Sequence, residues 1–370
     1  MPKKQTATEI RGFCSIGEYL QGPGIFMDLP HYAGKYGSVT VALIDPYFKA
    51  LGEELTEKFS AEGQTLHVVL FNGQCSEEEI ERVTGIARNV KASCIIGIGG
   101  GKTLDTARAV SPALNIAEIL CVTSASCDAP TSSHSVVYKE DHTCRAVVHN
   151  KHPEYVLVDT DIVIQAPPRL LAAGIGDALA TYFEAVTTQA ANNVNNFGDG
   201  YAQTLTGMSI AKLCFETLLA KGEEAYQANC MHLRTKAFED IVEANTLMSG
   251  LGTENTGCNI SHGVSTALAT IRDTFDRLHG ETVTYGVLCQ LIVENAPTEL
   301  FDRVYRLCKN VGLPVCLADL NITENVEEKL HKAFEYAVAN KEILWIPIYP
   351  VTADILYNAA MYVDSLKDKY

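Results

Sequence analysis

Between residues 39 and 123 the chain alternates short β-branched apolar runs with amphipathic stretches, and this alternation restricts the fold more than any other feature. Val39–Ile44, Leu66–Phe71, Cys94–Ile98 and Ile119–Thr123 have the length and residue types of buried strands. Pro46–Glu62, Ser76–Val90 and Thr103–Val110, lying between them, have helical periodicity. Strand–helix units at this period imply a parallel, doubly wound sheet, which takes its ligands at the carboxyl ends of the strands. Tyr155–Asp159 is expected to add one more strand.

At residues 165–169, QAPPR, the pattern changes. From there it is almost wholly helical: Gly176–Gln189, Tyr201–Lys221, Leu233–Leu247, Ile260–Thr270, Thr284–Ala296, Glu299–Asn310, Val326–Asn340 and a last helix from Ala353. The expected organisation is an α/β nucleotide-binding domain over residues 1–165 and an all-α domain over 166–370, with the reaction centre in the cleft between them. A chain of 370 residues is long enough for two cores.

A formal charge of −16 excludes a nucleic-acid binder, which needs a basic footprint. No apolar run reaches the ~18 residues of a membrane helix, and the basic N-terminus lacks the apolar segment of a secretory signal. The twelve cysteines run from Cys14 to Cys316 without a CxxC pair, so they read as small buried hydrophobes of a reducing cytoplasm.

Residues 94–105, CIIGIGGGKTLD, form a buried strand, a glycine cluster and a helix start. Glycines let backbone approach a phosphate, and a helix N-terminus offers unpaired N–H groups. The GxGxxG spacing from Gly97 and Gly99 fails at Lys102, and the Walker A spacing fails at Ile96. A tight turn alone accounts for one or two glycines, not for Gly99, Gly100 and Gly101 followed by a lysine. The turn is therefore read as a phosphate contact. Asp45, at the end of the first clear strand, suits either a ribose acceptor favouring NAD over NADP or a cap for the turn at Pro46.

Asp177, His262 and His279 each lie in an apolar, glycine-marked segment of the helical half. No HExxH signature joins them, and their separations alone leave a metal site and ordinary core histidines evenly matched. Their chemistry suits a divalent metal: one carboxylate and two neutral imidazoles leave a position for a substrate oxygen.

The segments GIGGGKTLDTARA, SCDAP, DTDIV, APPRLLAAGIGDALAT, FEA, SHGVSTAL and LHGE resemble, in the same order, the glycerol dehydrogenase branch of the iron-containing (group III) alcohol dehydrogenase family. The similarity runs from about Tyr19 to near Gly312. It implies the dehydroquinate synthase-like fold of that family, NAD as cofactor, one divalent metal and a homo-oligomer such as an octamer. It maps metal ligands onto Asp177, His262 and His279, the two histidines also being catalytic. Cofactor contacts fall on Asp45, Gly99, Gly100, Gly101, Lys102, Asp105, Thr123, Ser132, His134, Val136 and Tyr138. Asp128 falls where the family places a carboxylate beside the substrate hydroxyls. Iron-binding members carry a further histidine four residues after the aspartate; here that residue is Thr181, which points to Zn²⁺ ahead of Fe²⁺ or Mn²⁺.

The resemblance implies hydride transfer from a small polyol such as glycerol, giving the hydroxyketone. Three departures keep a 2-oxo or 2-hydroxy acid substrate as the alternative. Ser265 stands where glycerol dehydrogenases have a second histidine. The segment TENTGCN is more polar than their phenylalanine- and glycine-rich version, and TFDRL precedes His279 where they tend to carry histidine and tyrosine. The terminal segment LWIPIYPVTADILYNAAMYVDSLK is also closer to the hydroxycarboxylate branch. A dehydroquinate-synthase-like lyase needs clustered lysines and arginines that the helical half lacks, and a non-catalytic nucleotide-binding module is the remaining reading.

Overall fold

The computed structural model describes residues 7–139, 144–198, 200–339, 349–367 and 369, without the side chains of 144–146. The chain forms two compact units, one of residues 15–125 and 129–166, the other of 7–14, 126–128 and 167 onward.

The first unit is built on β1 (Glu18–Gly22), β2 (Val39–Ile44), β3 (Thr65–Leu70), β4 (Cys94–Gly99), β5 (Ala117–Val122) and β8 (Tyr155–Asp159). They pair in the order β1-β8-β5-β4-β2-β3, all parallel. β4, β5 and β8 are buried along their whole length, which is why their sequences are mostly apolar, with Glu118 in β5 and Asp159 at the end of β8 as the charged exceptions. Helices α1 (Leu29–Gly34), α2 (Lys49–Ala61), α3 (Glu77–Asn89) and α4 (Gly101–Leu114) connect the strands, and α5 (Thr160–Val163) follows β8. Phe26, Leu29, Leu55 and Phe59 close one face over Ile44, Ile96, Ile119 and Leu157. A hairpin of β6 (His134–Tyr138) and β7 (Cys144–His149) stands apart from the sheet. Pro46–Phe48 is a separate 3₁₀ turn, so α2 begins three residues later than its periodicity suggests.

The second unit is helical: α6 (Pro168–Ala190), α7 (Leu205–Cys230), α8 (Lys236–Glu243), α9 (Ser249–Thr256), α10 (Ile260–Leu268), α11 (His279–Val293), α12 (Thr298–Asn310), α13 (Val326–Ala339) and α14 (Ala353–Ser365). A π-helical turn, Ala244–Met248, joins α8 to α9. α6 starts eight residues before the expected Gly176, because Pro168 occupies the first helical turn, where a missing N–H costs nothing. α11 starts five residues early, at His279, since Glu281 returns its carboxylate to the Leu278 N–H and caps it. Part of the segment beginning LWIPI lies outside the described residues.

Backbone-to-backbone approach fixes the centre of this unit. A Cβ on Gly176 of α6 would overlap Thr284 Oγ1 and the Gly280 carbonyl of α11. One on Gly280 would overlap the Ala173 carbonyl, and one on Gly286 the Ser261 carbonyl of α10. Glycine at these positions lets α6, α10 and α11 meet at distances no side chain permits. Among the described residues no helix is long and apolar enough to cross a membrane.

Candidate metal and substrate site

The close contacts of α6, α10 and α11 place one side chain from each helix at a common point. Asp177 comes from the third turn of α6 rather than from a helix opening; His262 is the third residue of α10 and His279 the first of α11. One ligand atom from each lies within 4.8 Å of the others. Asp177 Oδ1 is 3.4 Å from His279 Nε2 and 3.6 Å from His262 Nε2. That oxygen is buried with no hydrogen-bond partner. A buried carboxylate oxygen left unpaired is costly unless a cation satisfies it. The orphaned oxygen and the two imidazole nitrogens facing it fit a divalent cation. The two histidines pull the Asp177 carboxyl below its ordinary range against the opposing effect of burial.

Glu184 completes the arrangement and was not singled out in the sequence. Its Oε2 lies 2.6 Å from His262 Nδ1, and its Oε1 accepts from the backbone N–H groups of Asn259 and His262. With Nδ1 held by Glu184, Nε2 is the ring nitrogen left facing Asp177. Glu184 is seven residues after Asp177, two turns along the same face of α6, and this spacing was the available signal. Cys258, Glu184 and His262 also bring ligand atoms within 4.8 Å, but there Glu184 and His262 already satisfy each other.

Asp128 packs in the same unit. Its N–H donates to Asp177 Oδ2 at 3.3 Å, and its Oδ2 accepts from Ser249 Oγ at 3.0 Å. Burial, then the neighbouring Asp177 charge, raise its carboxyl to about 7. Ser265, one turn beyond His262, bonds to Thr282 Oγ1 at 2.7 Å.

The other expected residues lie in the sheet unit. The glycine turn joins β4 to α4. A Cβ on Gly99 would come within 2.7 Å of Thr103 Oγ1, whereas one on Gly100 would meet only Ser124 Oγ, at 4.0 Å. No side chain caps α4 at Gly100, and the Thr103 N–H bonds back to the Gly100 carbonyl at 3.0 Å. Lys102 Nζ sits over the Tyr138 ring at 5.2 Å, and burial lowers its pKa. Thr123 follows β5, its N–H bonded to Gly99. Ser132 Oγ accepts from the His134 N–H at 3.3 Å. Asp45 Oδ1 caps the Pro46 turn through the Tyr47 N–H. Asp105 is turned inward: Oδ1 takes Arg108 Nη1 at 2.9 Å and Oδ2 the Val136 N–H at 3.0 Å. The buried Arg108 also donates to the carbonyls of Ala129, Pro130 and His134, so this pair holds the segment bearing Ser132, His134 and Val136.

A parallel-sheet unit with a glycine-rich strand-to-helix turn and a helical unit with an Asp/His/His cluster are the marks of a two-unit, metal-dependent dehydrogenase class. The family model described as iron-containing alcohol dehydrogenase matches residues 17–160. Glycerol dehydrogenase from Escherichia coli O6:H1 is 38% identical over 358 residues, 96% of this chain and 97% of that protein. The crystal structure of glycerol dehydrogenase from Schizosaccharomyces pombe superposes with a TM-score of 0.92 at 32% identity, covering 98% of this chain and 93% of that one. A probable glycerol dehydrogenase from Sinorhizobium meliloti gives 0.90 at 34% identity, covering 97% and 99%. The chain belongs to the iron-containing alcohol dehydrogenase family, in its glycerol dehydrogenase branch.

Proposed function

We propose that the protein is a metal-dependent, NAD-linked dehydrogenase that oxidises a small polyol, glycerol or a similar vicinal diol, to the hydroxyketone. The observation that carries this reading is the unpartnered Asp177 Oδ1 facing two imidazole nitrogens. Asp177, His262 and His279 would hold the metal, and the glycine turn with Lys102 would hold the phosphates of NAD. When bound, the metal supplies Lewis-acid polarisation of the alcohol oxygen, and NAD supplies the hydride acceptor.

The chain's own residues do the rest. Glu184 keeps His262 in the tautomer that presents Nε2. Asp177 supplies a fixed negative charge in a buried setting, 1% of its side chain exposed, while the His279 side chain is 57% exposed. Asp128 accepts a hydrogen bond from the second hydroxyl, the one that is not oxidised. Three protein ligands with N and O donors favour zinc. From the resemblance we also take a cytoplasmic homo-oligomer, which size-exclusion chromatography tests.

The test is absorbance at the NADH band with a panel of polyols, using enzyme stripped of metal and then supplied with Zn²⁺, Fe²⁺ or Mn²⁺. Turnover that appears only with metal and is lost in His262→Ala is expected. Silence with every polyol and metal sinks the reading. Reduction of 2-oxo acids in the reverse direction, without polyol oxidation, would move the substrate to a hydroxy acid.

A further inference from the structure

Thr181 lies one turn after Asp177 on α6, almost fully buried and on the same face. Its Oγ1 is 3.0 Å from Ser249 Oγ and 3.1 Å from Thr253 Oγ1, both on α9. The backbone of α9 comes against it as well: a Cβ on Gly252 would lie 2.6 Å from Thr181 Cγ2. Ser249 Oγ in turn donates to Asp128 Oδ2 at 3.0 Å.

Each hydroxyl has a single proton, and this makes the connection directional. Ser249 gives its proton to Asp128, so at the next bond it accepts from Thr181. The Thr181 proton is thereby committed to Ser249, and Thr253, 3.1 Å from Thr181, itself hydrogen-bonds Asp128. A chain Thr181 to Ser249 to Asp128 results, with Thr253 beside it turned toward the same carboxylate. The π-helical turn at Ala244–Met248 sets the rotational phase of α9 just before Ser249; one residue fewer would turn Ser249 and Thr253 about 100° from α6.

We propose that Thr181, Ser249 and Thr253 are positioning residues that lock the Asp128 carboxylate through this directed chain and so set the preference for substrates with a second hydroxyl. The inference rests on the reading of Asp128 as the acceptor for that hydroxyl. Cooperative donation toward an anion strengthens each bond and holds the carboxylate in one orientation. None of the three hydroxyls needs to touch substrate.

The experiment measures KM for glycerol, KM for NAD, kcat and bound zinc per chain in Thr181→Val, Ser249→Ala, their double variant and Thr181→Ser. Thr181→Val and Ser249→Ala should each raise KM for glycerol about tenfold, the worth of a hydrogen bond to a charged acceptor. KM for NAD and zinc content should stay within twofold of wild type. The double variant should be no worse than the poorer single one, because both break the same chain. Thr181→Ser, which keeps the hydroxyl and loses only a methyl, should restore the wild-type KM. Should Thr181→Val fail to fold, Ser249→Ala and Thr181→Ser decide the matter. The proposal is overturned by an unchanged KM for glycerol in an active Ser249→Ala enzyme, by additive losses, or by Thr181→Ser behaving like Thr181→Val. Wild-type enzyme that turns over no polyol would instead remove the functional reading on which the proposal stands.

Discussion

At the scale of single residues, the centre of the helical unit is organised around one fixed acid and one oriented base. Asp177 contributes an oxygen with no hydrogen-bond partner, and Glu184 spends both of its oxygens on His262 and the start of α10. A histidine ligand whose second nitrogen is held by a carboxylate is both better aligned and more basic than a free one. Glu184→Gln keeps the shape but removes the charge that favours donation from Nδ1. Its zinc affinity, measured by competition with a chelator, should fall about 10–100-fold. An affinity equal to wild type would show that α10 alone orients His262. Asp177, His262 and His279 were individually visible in the sequence, but nothing in their separations brought them together; the family resemblance did. Glu184 was hidden for the opposite reason. A glutamate inside an apolar helix looks like any buried acid until the histidine opposite is placed.

At the scale of elements, glycine carries two different meanings in this chain. Gly280 is where α11 crosses α6, with no room for a methyl against the Ala173 carbonyl. Gly280→Ala must push the helices apart, which should cost about 1–3 kcal/mol in chemical denaturation and lower metal retention, since His279 moves with α11. Gly100 has open space before it and a φ of −85°, which alanine adopts freely. Gly100→Ala should leave stability within about 0.5 kcal/mol of wild type while raising KM for NAD, because the added methyl occupies the approach of a phosphate. A stability loss equal to that of Gly280→Ala would mean the turn is merely structural. The same contrast explains what the sequence revealed. β2 and β8 have the residue bounds that their apolar runs suggest, because strands buried on both faces leave an unmistakable pattern. β1 (EYLQG) is only partly buried and reads as loop, and the short β6–β7 hairpin offers no continuous apolar run. The starts of α6 and α11 were obscured by Pro168 and Gly280, residues that usually signal a break and here serve a first turn and a helix crossing.

At the scale of the whole molecule, an acidic chain of net charge −16 still keeps carboxyl groups inside its sheet unit, and their titration shapes stability with pH. Glu118 on β5 is fully buried, and neither of its oxygens has a hydrogen-bond partner. Burial raises its carboxyl to about 8, against the opposing pull of Arg108, whose Nε is 3.6 Å away, and of Lys151. Glu154 and Asp105 add to the rise. The sign follows from linkage. The folded protein holds this proton more tightly than the unfolded chain, so the associated stability is fully present below the ordinary carboxyl range. It is lost progressively as pH rises from about 4.5 to about 8, and the deficit is constant above that. Glu118→Gln is neutral at every pH and escapes the loss. The variant should match wild type near pH 5 and exceed it at pH 9 by on the order of 1–3 kcal/mol, read from urea denaturation midpoints at pH 5, 7 and 9. Comparing the two proteins at each pH removes the general self-repulsion of an acidic surface, which both share. A gap that stays the same at all three values would show that Glu118 is ionised throughout and that Arg108 holds it as a permanent ion pair.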